Sequence, residues 1–230
     1  MTLKAARQIA GWLDDKEMDA VAAETLARME KFEIKRTDAS QALSLSVLSG
    51  MSKNPDADCR TLLDNGINSF SPFYGYYAVE ALAENGYVEK AMEMISDYWG
   101  AMIDLGATTF WEDLNYPDTK NAARIDEIVP SGKYDIHSEG GAYCYVGLRL
   151  SLCHGWGAGP TPWLQRYVLG VKPLEPGCRT IQVKPNLGYL SYASGTVPTP
   201  YGPVSVEARK DSSGKTVVNV KAPKGVKVSR

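Results

Sequence analysis

The hydrophobic period of this chain changes near residue 170, and that change limits what it can fold into. Before it, apolar residues recur at helical spacing: Ile9, Trp12 and Leu13; Met18, Val21, Ala22, Leu26 and Met29; Ala91, Met94, Ile95, Tyr98 and Met102. After it, Thr180-Ile181-Gln182-Val183 and Val204-Ser205-Val206-Glu207-Ala208 alternate, and Val217-Val218-Asn219-Val220 is β-branched. Between these runs stand the turn signals Pro185-Asn186-Leu187-Gly188, Pro198-Thr199-Pro200-Tyr201-Gly202-Pro203 and Ser212-Ser213-Gly214. Helices followed by short strands predict two domains in series, a helical one over 1–170 and an antiparallel β-sandwich over 171–230.

Helix punctuation refines the first part. Asp38 can cap a helix carrying Ala42, Leu45 and Leu48 that stops at Gly50, and Asp56 can start the next, ending near Gly66. Ser71 as N-cap with Pro72 at the first helical position opens a helix that Asn85-Gly86 closes. Further helices are expected over residues 140–152 and 162–169, the last closed by Gly170. Short connections imply antiparallel hairpins, and periodicity alone leaves ring, bundle and solenoid all open.

Composition excludes several roles. With 44% hydrophobic and 23% charged residues the chain reads as an ordinary globular protein, and its formal charge of -2 offers nothing to nucleic acid or an anionic membrane. Met1-Thr2-Leu3-Lys4 runs straight into a charged helical pattern with no leader signature, and there is no long apolar run to span a bilayer. Compartment stays open. Cys59, Cys144, Cys153 and Cys178 form no C-x-x-C pair, and with only His137 and His154 beside them no metal-site spacing emerges. Buried thiols are expected, and neither metal nor cofactor.

Two segments could carry chemistry. Gly106-Ala107-Thr108-Thr109-Phe110-Trp111-Glu112-Asp113 sets a carboxylate beside an indole and opens a polar loop over 113–139, expected to rim a cleft with Leu114, Ile125, Ile128 and Val129 packed down. A Glu among aromatic rings suits sugar chemistry, the rings lying on C–H faces of a pyranose while the carboxylate activates water. Taken alone, a Glu at a loop start is more often a capping or solvated residue. Ser151-Leu152-Cys153-His154-Gly155-Trp156-Gly157-Ala158-Gly159-Pro160 puts three glycines around a Trp, which permits close backbone approach to a ligand or merely a glycine-rich helix exit.

Together these segments resemble family 78 α-L-rhamnosidases. Gly-Ala-Thr-Thr-Phe-Trp-Glu, preceded by Trp99-Gly100-Ala101-Met102-Ile103, is similar to the stretch bearing that family's catalytic base, and Ser-Leu-Cys-His-Gly-Trp with Gly-Pro-Thr-Pro-Trp to the one supplying a substrate-facing histidine. Val168-Leu169-Gly170-Val171-Lys172-Pro173-Leu174-Glu175-Pro176-Gly177 and Gly195-Thr196-Val197-Pro198-Thr199-Pro200-Tyr201-Gly202 resemble its entry into a C-terminal β-domain. The likeness runs from about residue 40 to the C-terminus.

The resemblance implies half of an (α/α)6 toroid followed by the sandwich, and inverting hydrolysis that releases terminal L-rhamnose from an oligosaccharide or glycoside. It implies Glu112 as general base, His154 lining the sugar site, and Trp111, Trp156 and Trp99 as aromatic walls. The family's general acid lies upstream in a motif rich in Asp, Arg and Glu followed by Gly-Trp. Residues 1–60 hold no such motif, Asp14-Asp15-Lys16-Glu17 lacking its context. The implied partner is therefore the N-terminal remainder of the enzyme or a second chain. Without it the chain is expected to be a poor enzyme, or a carbohydrate-binding or structural fragment.

Overall fold

The computed structural model of the chain describes residues 1–32, 35–136 and 150–230. Helices come first: α1 (Thr2–Leu13), α2 (Lys16–Met29), α3 (Ser40–Ser49), α4 (Pro55–Asn65), α5 (Pro72–Glu84) and α6 (Val88–Asp104). A short α7 (Pro160–Trp163) then runs directly into a π turn over Leu164–Val168. Strands follow: β1 (Val171–Pro173), then, after a 3-10 turn over Pro176–Cys178, β2 (Thr180–Val183), β3 (Tyr192–Val197), β4 (Val204–Lys210), β5 (Thr216–Lys221) and β6 (Lys227–Ser229). The expected order of helical hairpins and then a β-sandwich is the observed one. The helix expected over 140–152 lies mostly outside the described residues, as do His137 and Cys144.

Several predicted ends form as read. The Ser71 hydroxyl accepts from the Tyr74 N–H, with Pro72 at the first turn of α5, and Gly50 ends α3 in the left-handed region. Two caps differ. Asp38 does not cap α3, because Arg36 donates to its carboxylate and also holds Asp58 at 2.9 Å, so the helix starts after Ala39 with no side-chain cap. Asn54, not Asp56, caps α4 by accepting from Ala57 N–H, and Pro55 takes the first helical position.

The helical core centres on α5 and α6. Ala78, Val79, Ala81 and Leu82 of α5 pack against Ala91, Ile95, Tyr98, Trp99 and Met102 of α6, all buried. The hairpin of α1 and α2 is different. Its helical apolar stripe leaves Ile9, Trp12 and Leu13 exposed, at 45%, 52% and 69%, although the spacing reads as a core face.

The strands form two three-stranded sheets, β1-β2-β6 and β3-β4-β5. Their alternation buries Val171, Ile181 and Val183 of one sheet against Val204 and Val206 of the other. Three of the four pairings are antiparallel as expected, and β2 with β6 is parallel, the chain returning through β3–β5 before closing that edge. A sandwich this small buries little core alone and needs a neighbour. Trp163, wholly buried, donates its indole N–H to the Val79 carbonyl of α5 at 3.1 Å, while Leu169 a few residues on enters the sandwich core. Leu187, in the β2–β3 loop, joins the helical core, so the strands are docked on the helices through an apolar seam.

Thiol chemistry divides the cysteines. Cys59 is buried, and burial pushes its thiol up to about 11. The expectation of buried thiols fails for Cys153, which is exposed, and for the half-buried Cys178, because neither strand edge nor loop covers them fully. At neutral pH a maleimide should modify Cys153 in the folded chain and reach Cys59 only on unfolding, which mass spectrometry of labelled peptides will read. Labelling of native Cys59 at the rate of Cys153 would contradict this packing.

Candidate functional site

The two chemistry-bearing segments, one following α6 and one preceding α7, lie side by side. Glu112 N–H donates to the Ser151 carbonyl at 2.9 Å and His154 N–H to the Phe110 carbonyl at 2.7 Å. The Thr109 hydroxyl adds a bond to the Leu152 carbonyl. This backbone pairing carries the Glu112 side chain across to the partner segment, where the Ser151 N–H donates to Oε2 at 3.0 Å. His154 Nδ1 stands 3.9 Å from the same oxygen, close enough for an electrostatic contact and too far for a hydrogen bond. Glu112 is mostly buried and His154 about one third exposed.

Trp156 completes the surface. Its indole N–H donates to the Glu112 carbonyl at 2.9 Å, and its ring lies 4.2 Å from the His154 ring at a 46° tilt. At 47% exposure it is the tryptophan that meets solvent here. Trp111 and Trp99, expected as walls of the same site, are buried at 0% and 4% exposure and so lie beneath it. Trp99 donates to the Gly157 carbonyl at 2.9 Å, fixing the turn that presents Trp156. Among the described residues the buried Trp111 indole N–H has no acceptor.

Gly157 explains why the segment is rich in glycine. A Cβ there would sit 2.5 Å from the Trp111 carbonyl oxygen, so the two segments approach closer than any side chain allows. The sequence reading of a close approach is right in kind, but the neighbour at that glycine is the protein's own backbone.

A feature not read from the sequence extends the surface. Phe73, at the start of α5, lies 5.8 Å from Trp156 and 5.5 Å from Tyr77, and Tyr74 stands 5.1 Å from Phe73. The run Phe73-Tyr74-Gly75-Tyr76-Tyr77 after the Ser71 cap is the signal, since a helix start rich in rings cannot bury all of them. The surface thus joins a carboxylate and an imidazole to a row of aromatic rings. Such a surface can accept a proton from water or a hydroxyl while apolar faces hold a sugar ring.

Through residue 136 the loop after Glu112 is held by hydrogen bonds and packing. Leu114 is buried and Ile125 packs on the helical core, a 3-10 turn spans Tyr116–Asn121, and Arg124 forks onto Asp126 while reaching the Asp104 carbonyl. Ile128, expected to pack down, is 96% exposed instead, because the Arg124–Asp126 fork and the bond from Arg124 N–H to Glu127 turn the chain outward just before it. Among the described residues no group of His, Cys, Asp and Glu could hold a metal ion, and no helix is long and apolar enough to cross a membrane.

Comparison with known proteins gives this arrangement a context. Residues 170–229 match the bacterial alpha-L-rhamnosidase C-terminal domain. The chain superposes on the GH78 family rhamnosidase of Bacillus sp. GL1 with a TM-score of 0.70 at 22% identity, covering 98% of this chain and 24% of that one. It superposes on the α-L-rhamnosidase of Streptomyces avermitilis, solved in complex with L-rhamnose, with a TM-score of 0.74 at 19% identity, covering 98% and 22%. For the α-L-rhamnosidase of Aspergillus terreus the values are 0.72, 19%, 96% and 26%. No curated protein sequence matches. The chain spans 22–26% of the length of these solved structures. It has the fold of the C-terminal part of family 78 α-L-rhamnosidases, and its residues 170–229 match the C-terminal domain of the bacterial members.

Proposed function

We propose that this chain supplies the general base of an inverting glycoside hydrolase that releases terminal L-rhamnose from α-L-rhamnosides. In this reading residues 1–170 are the C-terminal half of an (α/α)6 catalytic domain and 171–230 a supporting β-sandwich. The observation that carries it is the Glu112 carboxylate, anchored by the Ser151 N–H and facing His154 at 3.9 Å beside the exposed Trp156 ring. Glu112 takes the proton of a water attacking the anomeric carbon, His154 hydrogen-bonds a sugar hydroxyl, and Trp156 covers an apolar face of the ring. Trp99 and Trp111 act from below, holding the turn that carries Trp156.

Inverting hydrolysis needs a second carboxyl group, as the acid, about 6.5–9.5 Å from the base across the scissile bond. That acid comes from the N-terminal remainder or a second chain. The exposed apolar face of α1, with Trp12 and Leu13 toward solvent, supports a further body of protein alongside. Mixing the chain with the separately expressed upstream half should therefore restore hydrolysis of an aryl α-L-rhamnoside. Each half alone should release product at least about 100-fold more slowly, the usual minimum effect of a missing acid or base. The runner-up, a carbohydrate-binding fragment without turnover, is favoured by the missing acid motif, and it prevails if the combined halves bind the glycoside and never cleave it.

A further inference from the structure

A cleft of about 410 Å³ opens at the seam between the helices and the sandwich, lined by Glu84, Arg166, Tyr167, Lys172, Gln182 and Lys184 among others. Its cations come from three places: the π turn, β1, and the residue following β2. Arg166 is balanced, with Glu80 at 3.0 Å and Glu84 at 3.4 Å. Lys172 lies 4.6 Å from the centre of the Tyr167 ring, and among the described residues neither Lys172 nor Lys184 forms an ion pair. The backbone holds them there. β1 pairs with β2 so that Lys172 opposes Gln182, and Lys184 N–H donates to the Gly170 carbonyl at 3.0 Å. Gly170 has φ +67°, and a Cβ on it would stand 1.9 Å from the Lys184 carbonyl oxygen, so the two strands meet here only through a glycine.

We propose that this cleft is a binding site for a sugar acid, a pyranose carrying a carboxylate. The carboxylate sits between the Lys172 and Lys184 ammonium groups, and the hydroxyls donate to Glu84 and exchange hydrogen bonds with the amides of Gln182 and Asn186, which also lines the cleft. The mixed lining selects this class. Sulfate has no hydroxyls to offer the amides of Gln182 and Asn186 or the Glu84 oxygen that Tyr167 and Arg166 leave over, and a neutral sugar leaves both ammonium groups without a counter-charge. The volume falls within the range of small-molecule sites. The site uses none of the Glu112 surface and stands whether or not that surface is catalytic.

The test is calorimetric titration of the whole chain with D-galacturonate, D-galactose and sulfate. Galacturonate should saturate, galactose should bind at least about tenfold more weakly, and sulfate at equal concentration should not displace galacturonate. Lys172→Gln/Lys184→Gln should weaken galacturonate at least about tenfold. Lys184→Gln alone, at an exposed position, should weaken it about threefold and serves if the double variant loses its native circular dichroism. Equal affinity in wild type and variant, displacement by sulfate, or no saturation of the wild type below about 50 mM would each overturn the assignment.

Discussion

Replacing Glu112 by Gln, in an assembly that supplies the acid, is expected to lower turnover by at least about 100-fold and up to about 10,000-fold, the range of general-base catalysis. Substrate binding should change little. The amide keeps the shape of the carboxylate, and a rotamer with its oxygen toward the Ser151 N–H keeps the 3.0 Å bond that orients it. What it loses is the ability to take a proton from water. Azide, already an anion, needs no base and should restore part of the rate by entering the vacated water position. His154→Ala should behave differently, weakening binding as well as turnover, because its proposed task is to hold the sugar. Steady-state kinetics separates the two patterns. If Glu112→Gln kept more than about a tenth of wild-type turnover, the base would be another residue.

The largest effect on stability is expected from Trp163→Ala, at about 3–5 kcal/mol. Trp163 has no solvent exposure, packs 5.1 Å from the Tyr167 ring and donates to the Val79 carbonyl of α5. It also begins the run that ends at Leu169 in the sandwich core, so the cavity it leaves lies under the joint between helices and strands. For a chain of 230 residues such a loss should lower Tm by roughly 6–20 °C. The helical and strand signals of circular dichroism should fall in one transition. Separate melting of strands and helices in the wild type would contradict the docked seam.

The sequence shows the architecture where the signals are local. The change of period near residue 170, the Ser71-Pro72 start of α5 and the glycine end of α3 follow from backbone and side-chain preferences within a few residues, and the structure has them. It misleads where a distant group competes. Asp38 has the chemistry of a cap but is taken by Arg36, and Ile128 is apolar but follows a fork that turns it outward.

The site divides along the same line. That Glu112 and His154 meet is invisible to periodicity, because the hydrogen bonds between residues 109–112 and 151–154 join segments far apart in the chain, and only family resemblance implied their meeting. Depth is equally hidden. Trp99, Trp111 and Trp156 look alike in composition, yet two are buried under the surface and one lies on it, a distinction set by how α6 and the turn at residues 155–157 pack. The Phe73 and Tyr74 rings escaped notice for the converse reason, since a helical pattern says which residues repeat and not which face finds no partner.

The central claim, that the surface of Glu112, His154 and Trp156 holds L-rhamnose, is tested most directly by titrating the isotope-labelled chain with L-rhamnose and following the indole N–H signals of its tryptophans by NMR. The account predicts that the Trp156 signal and the ring signals of His154 shift together and saturate, while the buried Trp163 signal, in the core under the helix–strand seam, stays in place. Saturable shifts confined to other residues, or no shift at Trp156 and His154 at concentrations of about 100 mM, where even a very weak sugar site fills, would contradict it.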